Sequence, residues 1–203
     1  MGTGINLKNN PFCVLNFDVI LEVNGRDAGS FLNNLSTAQI DKECGKITYT
    51  QWLNEDGRME ADLTVIMMNE DTFMVVATDT MQNHVLMHMK HRIPAGASVT
   101  VTDVTGMYAQ INLQGPKSRD LVSALTSHDV SNESFPFRSA AEIDIGLSRA
   151  WCARISYVGE LGFELYIPAE YATYVYDEIV QQGQAYGLRH AGLKALGSLR
   201  LVS

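Results

Sequence analysis

One spacing occurs twice in this chain and limits what it can fold into. Gly25, Phe31, Leu32, Leu35 and Ser36 are matched, in order and separation, by Gly115, Leu121, Val122, Leu125 and Thr126. Each glycine closes a strand-like stretch and is followed by an apolar i, i+1, i+4 stripe, the mark of a short amphipathic helix. Alternation and turn residues predict the same succession around each copy. The first copy reads as a strand over 19–23, a helix over 27–35, strands over 47–53, 59–68 and 72–77, and a helix from 80 to about 92. The second reads as strands over 99–104 and 108–114, a helix to about 125, then strands over 141–145, 150–157 and 163–167. A long helix with Tyr171, Tyr174, Val175 and Ile179 on one face follows. This order predicts an α+β fold of two similar subdomains, each an antiparallel sheet with flanking helices. Residues 1–16 read as an N-terminal extension, and the subdomains as about 17–95 and 96–201. A last helix over 193–201 is not followed by a capping Gly or Pro. It is expected to expose an apolar face and to dock on a second chain or a second copy.

Composition narrows the function classes. At 203 residues and 46% hydrophobic, the chain can bury a core without staples, and 19% charged residues exclude intrinsic disorder. Asp and Glu number 23 against 15 Lys and Arg, a net charge of -8. Phosphate-binding surfaces call for the opposite balance, so neither a nucleic acid nor a membrane is the expected partner. The absence of an apolar run of about 18 residues argues the same way against a spanning helix. Cys13, Cys44 and Cys152 are odd in number and far apart, which fits a reducing compartment without a disulfide or zinc framework. The opening MGTGINLKNNPF has no apolar signal core, so the expected location is the cytoplasm, or the mitochondrial matrix in a eukaryote. No GxGxxG, GxxxxGK[ST] or GxSxG occurs, so no flavin or nicotinamide site of the Rossmann kind is expected.

Three constellations carry side chains suited to chemistry. His84, His88 and His91 recur at i, i+4 and i+7 on a helix. Val85 stands where a zincin helix has Glu, and Met87, Met89 and Lys90 add no carboxylate. The expectation is a solvated helix face and no metal. Asp62 lies inside the strand over 59–68, on the face shared with Ile66 and Met68. It reads either as a carboxylate in a lined pocket with a tuned pKa, or as an exposed Asp near a hairpin end. In the stretch Arg154-Ile-Ser-Tyr-Val-Gly-Glu-Leu-Gly-Phe-Glu-Leu-Tyr166, two glycines form a turn. That turn is expected to place Tyr157 and Glu164 on neighbouring strands at one level. A carboxylate there can accept two parallel N–H bonds from an amidine-like edge such as that of a pterin, or it is the outward Glu of an ordinary hairpin, the reading that spacing alone favours.

These residues carry a family resemblance. Phe31-Leu32 with Leu35, Tyr49 to Asn54, Gly57 with Asp62-Leu63, Leu113 to Pro116 and Arg154 to Tyr166 resemble the folate-binding aminomethyltransferase (glycine-cleavage T-protein) family. The chain is most similar to the T-protein-like half of dimethylglycine and sarcosine dehydrogenases. The resemblance implies tetrahydrofolate as acceptor of a one-carbon unit from an amine donor, with Asp62 catalytic. It implies folate contacts at Tyr49, Thr78, Tyr157 and Glu164, and no metal. The T-protein has Asn where Thr78 stands and Arg where Leu196 stands, and the dehydrogenase branch has an apolar residue at the latter position. The family's C-terminal barrel-like domain lies outside this chain. A flavoprotein subunit is an expected partner, since no flavin motif occurs here. The alternative implied by the same fold is a non-catalytic folate-binding or regulatory module, like the related regulatory subunit of pyruvate dehydrogenase phosphatase, or a folate-dependent demethylase.

Overall fold

A computed structural model describes residues 10–16 and 18–201. In chain order the elements are β1 (Phe12–Asn16), β2 (Val19–Asn24), α1 (Ala28–Leu35), β3 (Ile47–Leu53), β4 (Met59–Met67), β5 (Thr72–Ala77), α2 (Gln82–Lys90) and β6 (Thr100–Asp103). They continue as β7 (Tyr108–Gln114), α3 (Ser118–Leu125), β8 (Ala140–Ile145), β9 (Ser148–Ala153), β10 (Gly162–Pro168), α4 (Ala172–Gly183), β11 (Arg189–His190) and α5 (Leu193–Arg200). They form two compact units. One is Phe17–Met107, and the other takes the described residues up to Asn16 with those from Tyr108 onward.

The first unit is an antiparallel sheet in the order β3-β4-β5-β2-β6. From Ala61 onward, alternation along β4 puts Ala61, Leu63, Val65 and Met67 on the core face. Trp52, Phe31, Leu32, Phe73, Val85 and Met89 complete the core on that face, so α1 and α2 supply its helical cover. The β3–β4 hairpin closes on Gly57, whose φ of 75° suits glycine. Asn54 Oδ1 accepts the N–H groups of Asp56 and Arg58 there.

The second unit is a sheet in the order β11-β1-β7-β10-β9-β8. Its pairs are antiparallel except β1 with β11, which is parallel. Its core joins Ile111, Leu113, Phe163, Leu165, Phe135, Val175 and Ile179. A smaller cluster of Phe12, Val14, Val158 and Leu196 seats α5 on β1. Leu196 is therefore covered, while Leu193 and Leu201 stay exposed.

The duplication is visible in atomic detail. The Gly25 N–H donates to Asp71 O at 2.9 Å, and the Gly115 N–H to Leu161 O at 2.8 Å. Each glycine has positive φ, and each carbonyl accepts the N–H three residues on, at the start of the helix. A Cβ on Gly25 would overlap the Ser98 carbonyl, and one on Gly115 would lie 2.6 Å from the Asn10 carbonyl. Ser98 precedes β6 by two residues, and Asn10 precedes β1 by two. The slot that β6 fills beside β2 is thus filled beside β7 by β1.

Three expectations are corrected here. The described residues 10–16 are more than an extension, because β1 runs between β7 and β11. The boundary between units falls at Met107 rather than near 95, because β6 pairs with β2 from Leu21 to Asn24. The strand expected over 150–157 ends at Ala153, so Tyr157 lies in the following loop and shares no strand level with Glu164. Glu164 pairs instead with Ala153 and Asn112.

Candidate functional site

In the first unit, antiparallel register assembles a polar group around Asp62. Gln51 on β3 is directly opposite Asp62, and Tyr49 lies one pair further along the same face. The Tyr49 hydroxyl donates to Asp62 Oδ2 at 2.7 Å and Gln51 Nε2 donates to Oδ1 at 3.0 Å. On the other side of β4, Ala77 pairs with Leu63, so Thr78, the next residue, reaches the level of Asp62. Asp62 and Thr78 are exposed, and Tyr49 is 46% exposed. Of the two readings of Asp62, the solvent-facing one describes this unit. The carboxylate is nonetheless fixed by two neutral donors, so each oxygen is oriented while the group stays open to water.

In the second unit, Gln110, Asn112 and Gln114 alternate along β7 and are all buried. On neighbouring β10 they face Tyr166, Glu164 and Gly162 respectively. Glu164 is half-buried and its Oε2 accepts the Tyr166 hydroxyl at 2.8 Å. Asn112 Oδ1 has no hydrogen-bond partner among the described residues. The face therefore sets a half-buried carboxylate beside a buried amide oxygen that has no partner among the described residues. Gly162 lets the Gln114 amide lie against β10, since a Cβ there would lie 2.6 Å from Gln114 Cδ. Gln114 Oε1 then accepts from Ser156 Oγ at 3.0 Å. The sequence reading missed Asn112, although an alternating Gln-x-Asn-x-Gln in an otherwise apolar strand marks a polar sheet face.

Tyr157 is 47% exposed, and the Arg200 guanidinium sits 4.1 Å from its ring centroid. Buried Val158 anchors the loop beside it. Arg154, at the head of the same motif, points elsewhere. It donates to Phe135 O and to Asn132 Oδ1, each at 2.7 Å, and so clips the 132–135 segment.

The histidine helix is not a solvated face. His88 is 7% exposed and stacks on Trp52. Burial above all, then the charge of Arg92, lowers its pKa below the usual imidazole value. The missing carboxylate comes from β4: Glu60 Oε2 lies 2.8 Å from His84 Nε2. His91 is exposed and outside this group. No helix among the described residues is long and apolar enough to cross a membrane.

Comparison with known proteins places this geometry in context. Residues 17–202 match the family described as the GCVT N-terminal domain. The chain is similar to 4-methylaminobutanoate oxidase (formaldehyde-forming) of Paenarthrobacter nicotinovorans, 38% identical over 179 residues, which is 88% of this chain and 22% of that protein. It is similar to an aminomethyltransferase of Thermoanaerobacter sp. (strain X514), 32% identical over 181 residues, 89% of this chain and 49% of that protein. In fold it resembles the solved glycine cleavage system aminomethyltransferase T from Bartonella henselae, with a TM-score of 0.81 and 22% identity, covering 96% of this chain and 51% of that one. The chain thus spans about a fifth of the oxidase and about half of the aminomethyltransferases.

Proposed function

We propose, because the chain belongs to the GCVT N-terminal domain family, that it is a tetrahydrofolate-dependent one-carbon transfer domain that accepts a methylene or formaldehyde-level unit from an amine donor. The observation that carries this reading is the Asp62 carboxylate, open to solvent yet held at both oxygens by Tyr49 and Gln51. Tetrahydrofolate, when bound, supplies the nucleophilic amine that takes up the one-carbon unit. Asp62 is the group to accept the proton that this nitrogen sheds, or to balance positive charge on the donor. Tyr49 and Gln51 hold it in one rotamer, which spares the cost of orienting it during the reaction. Glu164, half-buried on β10, is the carboxylate to accept the two-donor edge of the pterin through charge-assisted bonds. Thr78 and the Tyr157 ring are the further contacts. The donor must first be oxidised, and a separate flavoprotein subunit or domain is the expected source of that step.

The test separates binding from chemistry. Glu164→Gln turns an acceptor into a donor facing N–H groups, and is expected to weaken tetrahydrofolate binding by about 2–3 kcal/mol. Asp62→Asn is expected to keep that affinity within about tenfold while slowing transfer about 100-fold or more. Calorimetric titration with tetrahydrofolate, then a transfer assay on the full-length protein, reads both. Wild-type affinity in Glu164→Gln removes the anchor role, and wild-type transfer in Asp62→Asn removes the catalytic one.

A further inference from the structure

Glu60 breaks the alternation of its strand. Ala61, Leu63, Val65 and Met67 face the core that α2 covers, so parity alone would put Glu60 on the opposite face with Asp62. The pairing with β3 slips between Trp52 and Leu53: Trp52 pairs with Ala61, but Leu53 pairs with Met59. Glu60 is the extra residue of a β-bulge, a device that re-aims a side chain. Here it is aimed at α2, where its Oε2 meets His84 Nε2 at 2.8 Å.

One helical turn further along α2, His88 lies flat against Trp52, with ring centroids 5.6 Å apart and planes 15° from parallel. Its Nε2 is buried and has no hydrogen-bond partner among the described residues. A buried polar atom left without a partner is costly and calls for an explanation. One ligand atom from each of Glu60, His84 and His88 lies within 4.8 Å of the other two. Ligand atoms around a tetrahedral ion with bonds near 2.1 Å sit about 3.4 Å apart, so small rotations of His84 and Glu60 close the set.

We propose that Glu60, His84 and His88 bind a divalent transition-metal ion of the zinc and cobalt class. Two imidazoles and one carboxylate are a donor set that such ions prefer, whereas magnesium and calcium take oxygen ligands. The i, i+4 spacing puts both imidazoles on one side of α2, and the bulge brings the carboxylate to them from β4. His88 is fixed by its stack on Trp52, which holds its ring orientation. His84 is half-exposed, so the ion keeps at least one coordination position for water or a small anion. The ion ties the end of β4 to α2, on the side of the strand away from Asp62.

Trp52 makes the test direct, because bound cobalt quenches an indole stacked on its ligand. The chain has two tryptophans, so Trp151→Phe isolates the signal. Cobalt chloride is titrated into the tag-free chain in that background. The expected result is saturable quenching at one ion per chain, accompanied by visible cobalt absorption and reversed by zinc. Glu60→Gln and His84→Asn are expected to weaken it at least about tenfold. Both positions lie outside the buried core, and an unchanged unfolding midpoint checks that each variant is folded. His91→Asn, outside the cluster, should bind as wild type. Absence of saturable quenching up to about 1 mM cobalt overturns the proposal. Undiminished binding in Glu60→Gln and His84→Asn overturns it equally, leaving an ordinary Glu–His ion pair.

Discussion

Two of the three cysteines sit where water does not reach, and burial alone shifts both thiols upward, Cys13 from 9.0 to about 12. A thiol whose pKa rises on folding contributes fully below the unfolded value. Above it the unfolded chain ionises first, and stability is lost as pH climbs toward the folded value. Cys13 therefore makes stability fall by about 1.4 kcal/mol per pH unit above about pH 9. Urea unfolding between about pH 8 and 11 should show a shallower decline in Cys13→Ala than in the parent, and parallel profiles would refute the assignment. Single residues were also where the sequence spoke most plainly about the candidate site. Asp within a strand stood out because its type is disfavoured there, and the structure ties it to Tyr49. Glu60 and Asn112 did not stand out. The first is aimed by a bulge that leaves no mark in residue order, and the second is marked only by the Gln-x-Asn-x-Gln alternation it shares with Gln110 and Gln114, not by its own type.

Elements with turn residues at both ends were readable. Gly25, Gly57 and Gly115 punctuate the chain because only glycine tolerates their conformations or close approaches. Strand β1 escaped for a physical reason. Phe12 and Val14 fill one cluster and Cys13 another, so Phe-Cys-Val is apolar on both faces and shows no alternation. Its partner β7 also lies about 90 residues downstream. The same burial predicts its worth. Phe12→Ala empties a site 1% exposed and packed against Val158 and Leu196. It is expected to cost about 3–5 kcal/mol in chemical unfolding. A loss below about 1 kcal/mol would mean that this segment is dispensable to the second unit. The alternation of residues 154–157 predicts a longer β9, yet Arg154 is committed to the 132–135 segment and the strand ends at Ala153.

At the scale of the molecule, the doubled glycine spacing was enough to find two similar α+β units, and the five strands of one sheet have counterparts in the other, β11 being the addition among the described strands. What it did not reveal is that the copies are interleaved: one is continuous in sequence, while the other is assembled from both sides of it. This has a consequence for how the chain acquires its shape. Joining β1 to β7 in an unfolded chain closes a loop of about 90 residues. Once the inner copy folds, Val104 N–H bonds Ile20 O and Ile20 N–H bonds Thr105 Oγ1, each at 3.0 Å. The loop left to close is then only a few residues on either side of that clamp, a saving of about 2 kcal/mol in closure entropy. Refolding followed by pulsed hydrogen exchange should protect amides of β4 and β5 before those of β1 and β7, and the reverse order would exclude this route. During synthesis, β1 must wait unpaired until nearly a hundred further residues have left the ribosome. A strand made before β7 thus finds its neighbours only after the whole inner copy has been made.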